Sequence, residues 1–180
     1  MNVLLAVDDS EPSRVALEAV RSRAWSNDTQ LRVLCVAPVM LGMSVTGVPV
    51  AGSPGTASPV LSAGQLDAQK VLVDRARTLA EGTCASLRDL LRCEPRWRQG
   101  TPGVEIVHEA RAWPADLIVL GSRGYGAIKS ALLGSVATYV LHHAPCSVEV
   151  VRERAHEDAF ASDEVLSAEN NPALGDRGTD

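Results

Sequence analysis

Apolar and polar positions along residues 1–151 fall into blocks that alternate between strand and helix character. Residues 2–7, Asn-Val-Leu-Leu-Ala-Val, are a short apolar run closed by Asp8-Asp9-Ser10, the pattern of a strand buried on both faces. A helix is predicted next: Ser10 caps it, Glu11 and Pro12 suit its first turn, and Val15, Ala16, Ala19 and Val20 share one face. Residues 31–36 read as a second strand. A second helix is predicted over 71–87, with Leu72, Ala76, Leu79 and Thr83 in register. Residues 90–98 form a weaker third strand. Thr101-Pro102 caps and opens a third helix on which Val104, Val107, His108 and Ala112 recur at helical spacing. Residues 116–120 are a fourth strand, 134–143 a fourth helix and the valine-rich segment 146–151 a fifth strand.

Strands alternating with helices of ten or more residues predict right-handed βαβ units, hence an α/β fold with an open five-stranded parallel sheet and helices on both faces. Two segments fall outside the alternation. Residues 38–64 hold Pro38, Pro49, Pro54 and Pro59 among many Gly and Ser, which predicts a long mobile loop. Residues 155–180 are acidic and without period, so a disordered tail is expected to follow a single domain spanning 1–154.

Charge and cysteine content narrow the function. Of the 22 acidic and 17 basic residues, eight and three lie from Arg152 onward, which leaves 14 of each sign in the body. A neutral body with 3% aromatic residues offers no electrostatic footprint or stacking platform for nucleic acid. No apolar run approaches a membrane span and no signal peptide is recognisable, so a cytoplasmic protein is expected. Cys35, Cys84, Cys93 and Cys146 are scattered with no C-x-x-C, which reads as small buried hydrophobes in a reducing compartment. His142-His143 reads as one core and one surface histidine rather than a metal pair, and Trp25, Trp97 and Trp113 as partial core anchors.

The chemistry concentrates after the fourth strand, in Gly121-x2-Gly124-x9-Gly134-Ser135. Glycines leave main-chain N–H groups unobstructed and permit positive φ, and Ser135 opens a helix whose first amides carry partial positive charge. Together they can cradle a phosphate chain. The same residues also serve as turn glycines and a plain N-cap, and both readings stay open at this point. Ligands of open parallel sheets sit beyond the carboxyl ends of the strands where the strand order switches. There Asp8 can accept hydrogen bonds from a ribose or adenine, help hold a magnesium ion, or cap the first helix.

Residues 3–10 (Val-Leu-Leu-Ala-Val-Asp-Asp-Ser), 115–124 (Ala-Asp-Leu-Ile-Val-Leu-Gly-Ser-Arg-Gly) and the long block 132–151 resemble the universal stress protein family, with similarity over about residues 2–152. The glycine spacing is that of its nucleotide-binding members. The resemblance implies that Ala6, Val7 and Asp8 surround the adenosine, with Val36 at the adenine. It likewise implies that Gly121, Arg123, Gly124, Gly134, Ser135 and Val136 hold the phosphates and ribose. The implied ligand is ATP, or ADP or AMP, with magnesium at Asp8. Asp9 stands where the family usually has a smaller uncharged residue, and beside a triphosphate it would be repulsive unless a cation intervenes. Lys129 and Ser130 are within sequence reach of a γ-phosphate.

No residue set forms a catalytic apparatus: for hydrolysis only Asp8, Asp9 and Arg123 are candidates, so slow ATP turnover stays open while a sensor or regulatory module is expected. A phospho-acceptor receiver domain would need a carboxylate near residues 50–57, and none occurs from Thr29 to Leu66. A hydrolase would need a G-x-S-x-G elbow, which is absent. The expected partners are an adenine nucleotide, a protein not identifiable from sequence and a second copy of the chain. The last strand, 146–151, would otherwise leave valines on an open edge, and the resemblance implies pairing there.

Overall fold

The apolar run at the N-terminus is a strand whose Val3, Leu4 and Leu5 are completely buried. The computed structural model describes residues 1–39, 63–124 and 133–152. Its elements are β1 (Asn2–Val7), α1 (Glu11–Ser22), β2 (Gln30–Ala37), α2 (Ala63–Ser86), β3 (Arg92–Gln99), α3 (Pro102–Ala112), β4 (Leu117–Gly121), α4 (Ser135–His143) and β5 (Ser147–Val151). All pairings are parallel, as the alternation predicts, and the strand order is β3-β2-β1-β4-β5. The chain builds outward from β1 to β3, then crosses back to lay β4 on the other side of β1. That reversal puts the switch point between β1 and β4.

Alternate residues of the central strands feed two cores. Val3, Leu5, Val7, Val33 and Val119 pack with Ala16 and Val20 of α1 and Ala76 and Ala80 of α2. Leu4, Ala6, Leu34, Ile118 and Leu120 pack with Ile106 and Ala110 of α3 and Ala137 and Val140 of α4. Ser10 caps α1 as expected, its side chain accepting from the Ser13 amide at 3.4 Å. Among the described residues no helix is long and apolar enough to cross a membrane.

Several expectations need correction. α2 begins at Ala63, eight residues before 71, so residues 63 and 64 of the segment read as loop are helical; residues 40–62 lie outside the described residues, as do 153–180. The early turns of α2 escape a periodicity search because their buried residue is the polar Gln69, while Leu66 and Val71 are exposed. α2 buries only Gln69, Ala76, Ala80, Thr83 and Cys84 fully, whereas a fully buried Leu, Ile or Val is worth roughly 1.5–3 kcal/mol.

The face assigned to α3 is displaced. Val104 and His108 are exposed, and the buried residues are Gly103, Ile106, Val107, Glu109 and Ala110. Glu109 faces inward because it is neutralised there: its Oε1 accepts from Arg32 Nη1 at 2.8 Å and its Oε2 from Arg98 Nε at 2.6 Å. Arg32 also pairs with Glu94 and lies over the Trp113 ring, 4.3 Å from its centroid.

Cys84 and Cys93 are not separate buried thiols. They form a disulfide between the last turn of α2 and β3, with Cα atoms 5.5 Å apart, inside the usual range for a bridge. Cys35 is the small buried hydrophobe expected, and Cys146 is half-buried. His142 and His143 are both exposed, each ring Nδ1 bonded to the carbonyl four residues earlier, at 2.7 and 2.8 Å. Trp25 and Trp113 do pack partly against the cores, but Trp97 stands exposed on the sheet edge beneath the Arg77 guanidinium.

Candidate functional site

At the switch point the carboxyl ends of β1 and β4 lie side by side, Ala6 in register with Leu120. A cavity of about 330 Å³ opens there on the α3 and α4 face. Eight of the ten residues named from the sequence line it: Ala6, Val7, Asp8, Val36, Gly121, Arg123, Gly124 and Val136. Gly134 and Ser135 are not on its wall but close it from behind. The Gly134 amide donates to Ser122 O at 2.8 Å, the Ser122 amide donates to Val151 O at 2.8 Å, and Ser135 is the first residue of α4. Lys129 and Ser130 lie outside the described residues.

Gly121, Gly124 and Gly134 are required, though not for positive φ: none of the three has φ in the left-handed region. Close approach explains them instead. A Cβ on Gly121 would come within 2.6 Å of the Pro12 backbone, and one on Gly124 within 2.8 Å of Asp8 Oδ2. Gly134 is the N-cap of α4, and among the described residues no side chain bonds its first amides. Ser135 is therefore not the cap. The uncapped amides of α4 are backbone donors of the kind that suits an anion.

Asp8 is engaged at the start of α1, the structural one of the roles left open by the sequence. Its Oδ1 accepts from the Ser10 amide at 3.1 Å and from the Ser10 hydroxyl, which fixes the start of α1. Its Oδ2 is the oxygen that faces Gly124 across the cavity mouth. The Asp8 amide donates to Ser13 Oγ at 2.9 Å, so the start of α1 holds both the backbone and the carboxylate of Asp8. Asp9 points the other way. It meets Arg75 Nε of α2 at 2.6 Å on the opposite face of the sheet, so its charge is paired with a cation of the chain itself.

Sequence reasoning missed Ser13, Leu34, Pro38, Pro102, Ile106 and Leu120, which complete the wall. Leu34 could have been found by strand alternation, being two residues before Val36, whereas Leu120 joins the wall as the register partner of Ala6, a relation between strands that the sequence does not show. Ile106 was hidden by the displaced α3 face. A wider, shallower depression of about 530 Å³ lies between α1 and α2 near Asp9 and Arg75, but helix side chains line it and it has no glycine turn to expose backbone donors.

The arrangement combines an apolar slot, one carboxylate, one guanidinium and a glycine turn leading into an uncapped helix. The volume is at the lower end for small-molecule sites. Among the described residues no group of three or more His, Cys, Asp or Glu could hold a metal by itself, so a cation here would be carried mainly by the ligand's phosphates. Cys35 sits nearby as an inert thiol, pushed up to about 12 by burial and then by the charges of Asp8 and Asp9.

Comparison with known proteins matches residues 1–152 to the family described as the universal stress protein family. Universal stress protein Sll1388 of Synechocystis is 31% identical over 155 residues, which cover 83% of this chain and 96% of that protein. The structure of universal stress protein UspA from Lactobacillus plantarum superposes with a TM-score of 0.68 at 23% identity, over 84% of this chain and 97% of the other. A universal stress protein family protein from Arabidopsis thaliana with AMP bound superposes with a TM-score of 0.54 at 20% identity, over 87% and 94%.

Proposed function

Given that the chain belongs to the universal stress protein family, we propose that it binds an adenine nucleotide, ATP with magnesium foremost, in the cavity between β1 and β4, and works as a stress-response regulatory or sensor module of the cytoplasm rather than as a dedicated enzyme. The observation that carries this reading is the convergence of the glycine turn with the apolar slot at the switch point. The AMP-bound Arabidopsis relative supports the adenine part.

In this reading Val36, Leu34 and Ile106 flank the base, and the backbone of Ala6 and Val7 reads its edge. Asp8 accepts from the ribose hydroxyls or contributes to magnesium, and Gly121, Arg123, Gly124, Ser135 and Val136 enclose the ribose and phosphates with Gly134 behind them. The cation supplies charge neutralisation between the phosphates and Asp8. Water attack on a phosphate would need a positioned base, and Asp8 is already engaged at the start of α1.

Titration calorimetry with ATP and magnesium tests this. Gly124→Val drives a branched side chain toward Asp8 Oδ2 and into the cavity, and affinity is expected to fall by about 1–3 kcal/mol, roughly 5- to 150-fold. Ser135→Ala should weaken binding less, because the amides of α4 remain. Equal affinity in all three proteins, or no binding by nucleotide-stripped wild type, overturns the reading.

The same proposal includes a homodimer through β5. The sheet has two edges, and they are not alike. β3 carries Pro95 and the charged Arg92, Glu94, Arg96 and Arg98, devices that discourage strand addition. β5 carries Val148, Val150 and Val151, all partly exposed, with Glu149 tied back to Arg23 at 2.8 Å. Light scattering at micromolar concentration is expected to give twice the chain mass of 19.0 kDa, and a monomer mass refutes this part.

A further inference from the structure

α2 is fastened at both ends to functionally different places. Toward its start, Gln69 Nε2 donates to the carbonyl of Pro38, which lines the cavity, at 3.1 Å. Farther along, Arg75 holds Asp9, the neighbour of Asp8, at 2.6 Å. In the last turn Cys84 is bonded to Cys93 of β3. Between these points α2 fully buries only small or polar side chains, with Leu72, Val73 and Leu79 partly buried against the core, and the covalent link adds a fixed point to its registration on the sheet. Cys84 is 1% exposed whereas Cys93 is half-buried, which makes Cys93 Sγ the accessible sulfur. Arg88 and Arg92 lie in the segment that joins Cys84 to Cys93, and with Asp89 between them they line a small polar depression of about 230 Å³, a net positive stretch beside the clasp in sequence. Cationic neighbours stabilise thiolates and attract anionic thiols.

We propose that Cys84 and Cys93 form a redox-reversible clasp, opened and closed by exchange with an anionic low-molecular-weight thiol and its disulfide, and that its state sets how firmly α2 is seated on the sheet and, through Gln69, how firmly it holds Pro38 at the cavity. On opening, a thiolate attacks Cys93 Sγ, the Cys84–Cys93 bond breaks, and Cys84 leaves as a thiolate that takes up a proton. A second thiolate then attacks the sulfur of the bound thiol, releasing Cys93 and the external disulfide. Two electrons pass from two thiols to the protein pair, and the reverse sequence closes the clasp. The remaining described thiols are poor competitors, since burial raises Cys35 and burial followed by the Asp116 charge raises Cys146. An effect on nucleotide affinity rests on the function proposed above; the effect on α2 does not.

The test uses the full chain equilibrated in glutathione buffers of graded reduced-to-oxidised ratio, with acid quenching and maleimide labelling to count thiols. A reversible loss and gain of two thiols at Cys84 and Cys93 is expected. Amide hydrogen exchange over residues 69–84 should rise about tenfold on reduction, and ATP affinity should fall several-fold. Cys93→Ser in oxidising buffer should reproduce the reduced protein, and the wild-type comparison stands by itself if that variant does not fold. A pair that never oxidises, never reduces, or changes state without altering α2 exchange overturns the clasp. Exchange that follows redox state while neither form binds ATP supports the clasp and counts against the nucleotide reading alone.

Discussion

Glu109→Ala is expected to lower the unfolding free energy by about 3 kcal/mol, the low end for breaking a buried ion pair. Glu109 is 2% exposed and bridges Arg32 and Arg98. Its removal leaves the guanidinium of Arg32, 10% exposed in its side chain, with Glu94 as its remaining carboxylate partner, while the more exposed Arg98 can turn to water. The low end follows because Glu94 still compensates Arg32. Urea denaturation at constant m-value measures the loss. A change under 1 kcal/mol would show that the cluster is solvated in place.

The second large effect is expected at Gly121, where even the smallest side chain has nowhere to go. A Cβ there meets the carbonyl carbon and oxygen of Pro12 at 2.6 Å, and these are backbone atoms in the first turn of α1. Gly121→Ala should therefore destabilise the fold by about 2–3 kcal/mol, toward the upper part of the overpacking range. It should also displace the turn that holds Asp8 through Ser10 and Ser13, weakening nucleotide binding together with stability. Gly82→Ala is the control. It sits inside α2 with nothing within 4 Å of the added carbon, and should stabilise by roughly 0.5–1 kcal/mol through helix propensity. Thermal melts of the two variants should move in opposite directions; matching shifts would refute the packing argument.

The strands were legible because β1, β2 and β4 are buried on both faces and so read as apolar runs, broken in β2 by Arg32 alone after Leu31. The glycine turn was legible because close backbone approach leaves a compositional mark, although the reason at Gly121 is the Pro12 backbone and not a left-handed φ. What escaped were features in which polar residues do the work of apolar ones. Gln69 hid the start of α2, and Glu109 hid the phase of α3 and with it Ile106. Both are buried because of partners distant in sequence, Pro38 in one case and Arg32 in the other, which no local window contains. The Cys84–Cys93 bond was missed because its spacing of nine matches no local motif and depends on how α2 lies against β3.

The unequal sheet edges also decide where assembly stops. If two copies join through β5 about a two-fold axis, each adhesive edge is consumed by the other, and both outer borders of the joined sheets are β3, which carries the proline and the charged side chains. Growth by strand addition then has no further template. A chain with this apolar fifth strand can thus reach high concentration as a closed pair without running on into a fibre.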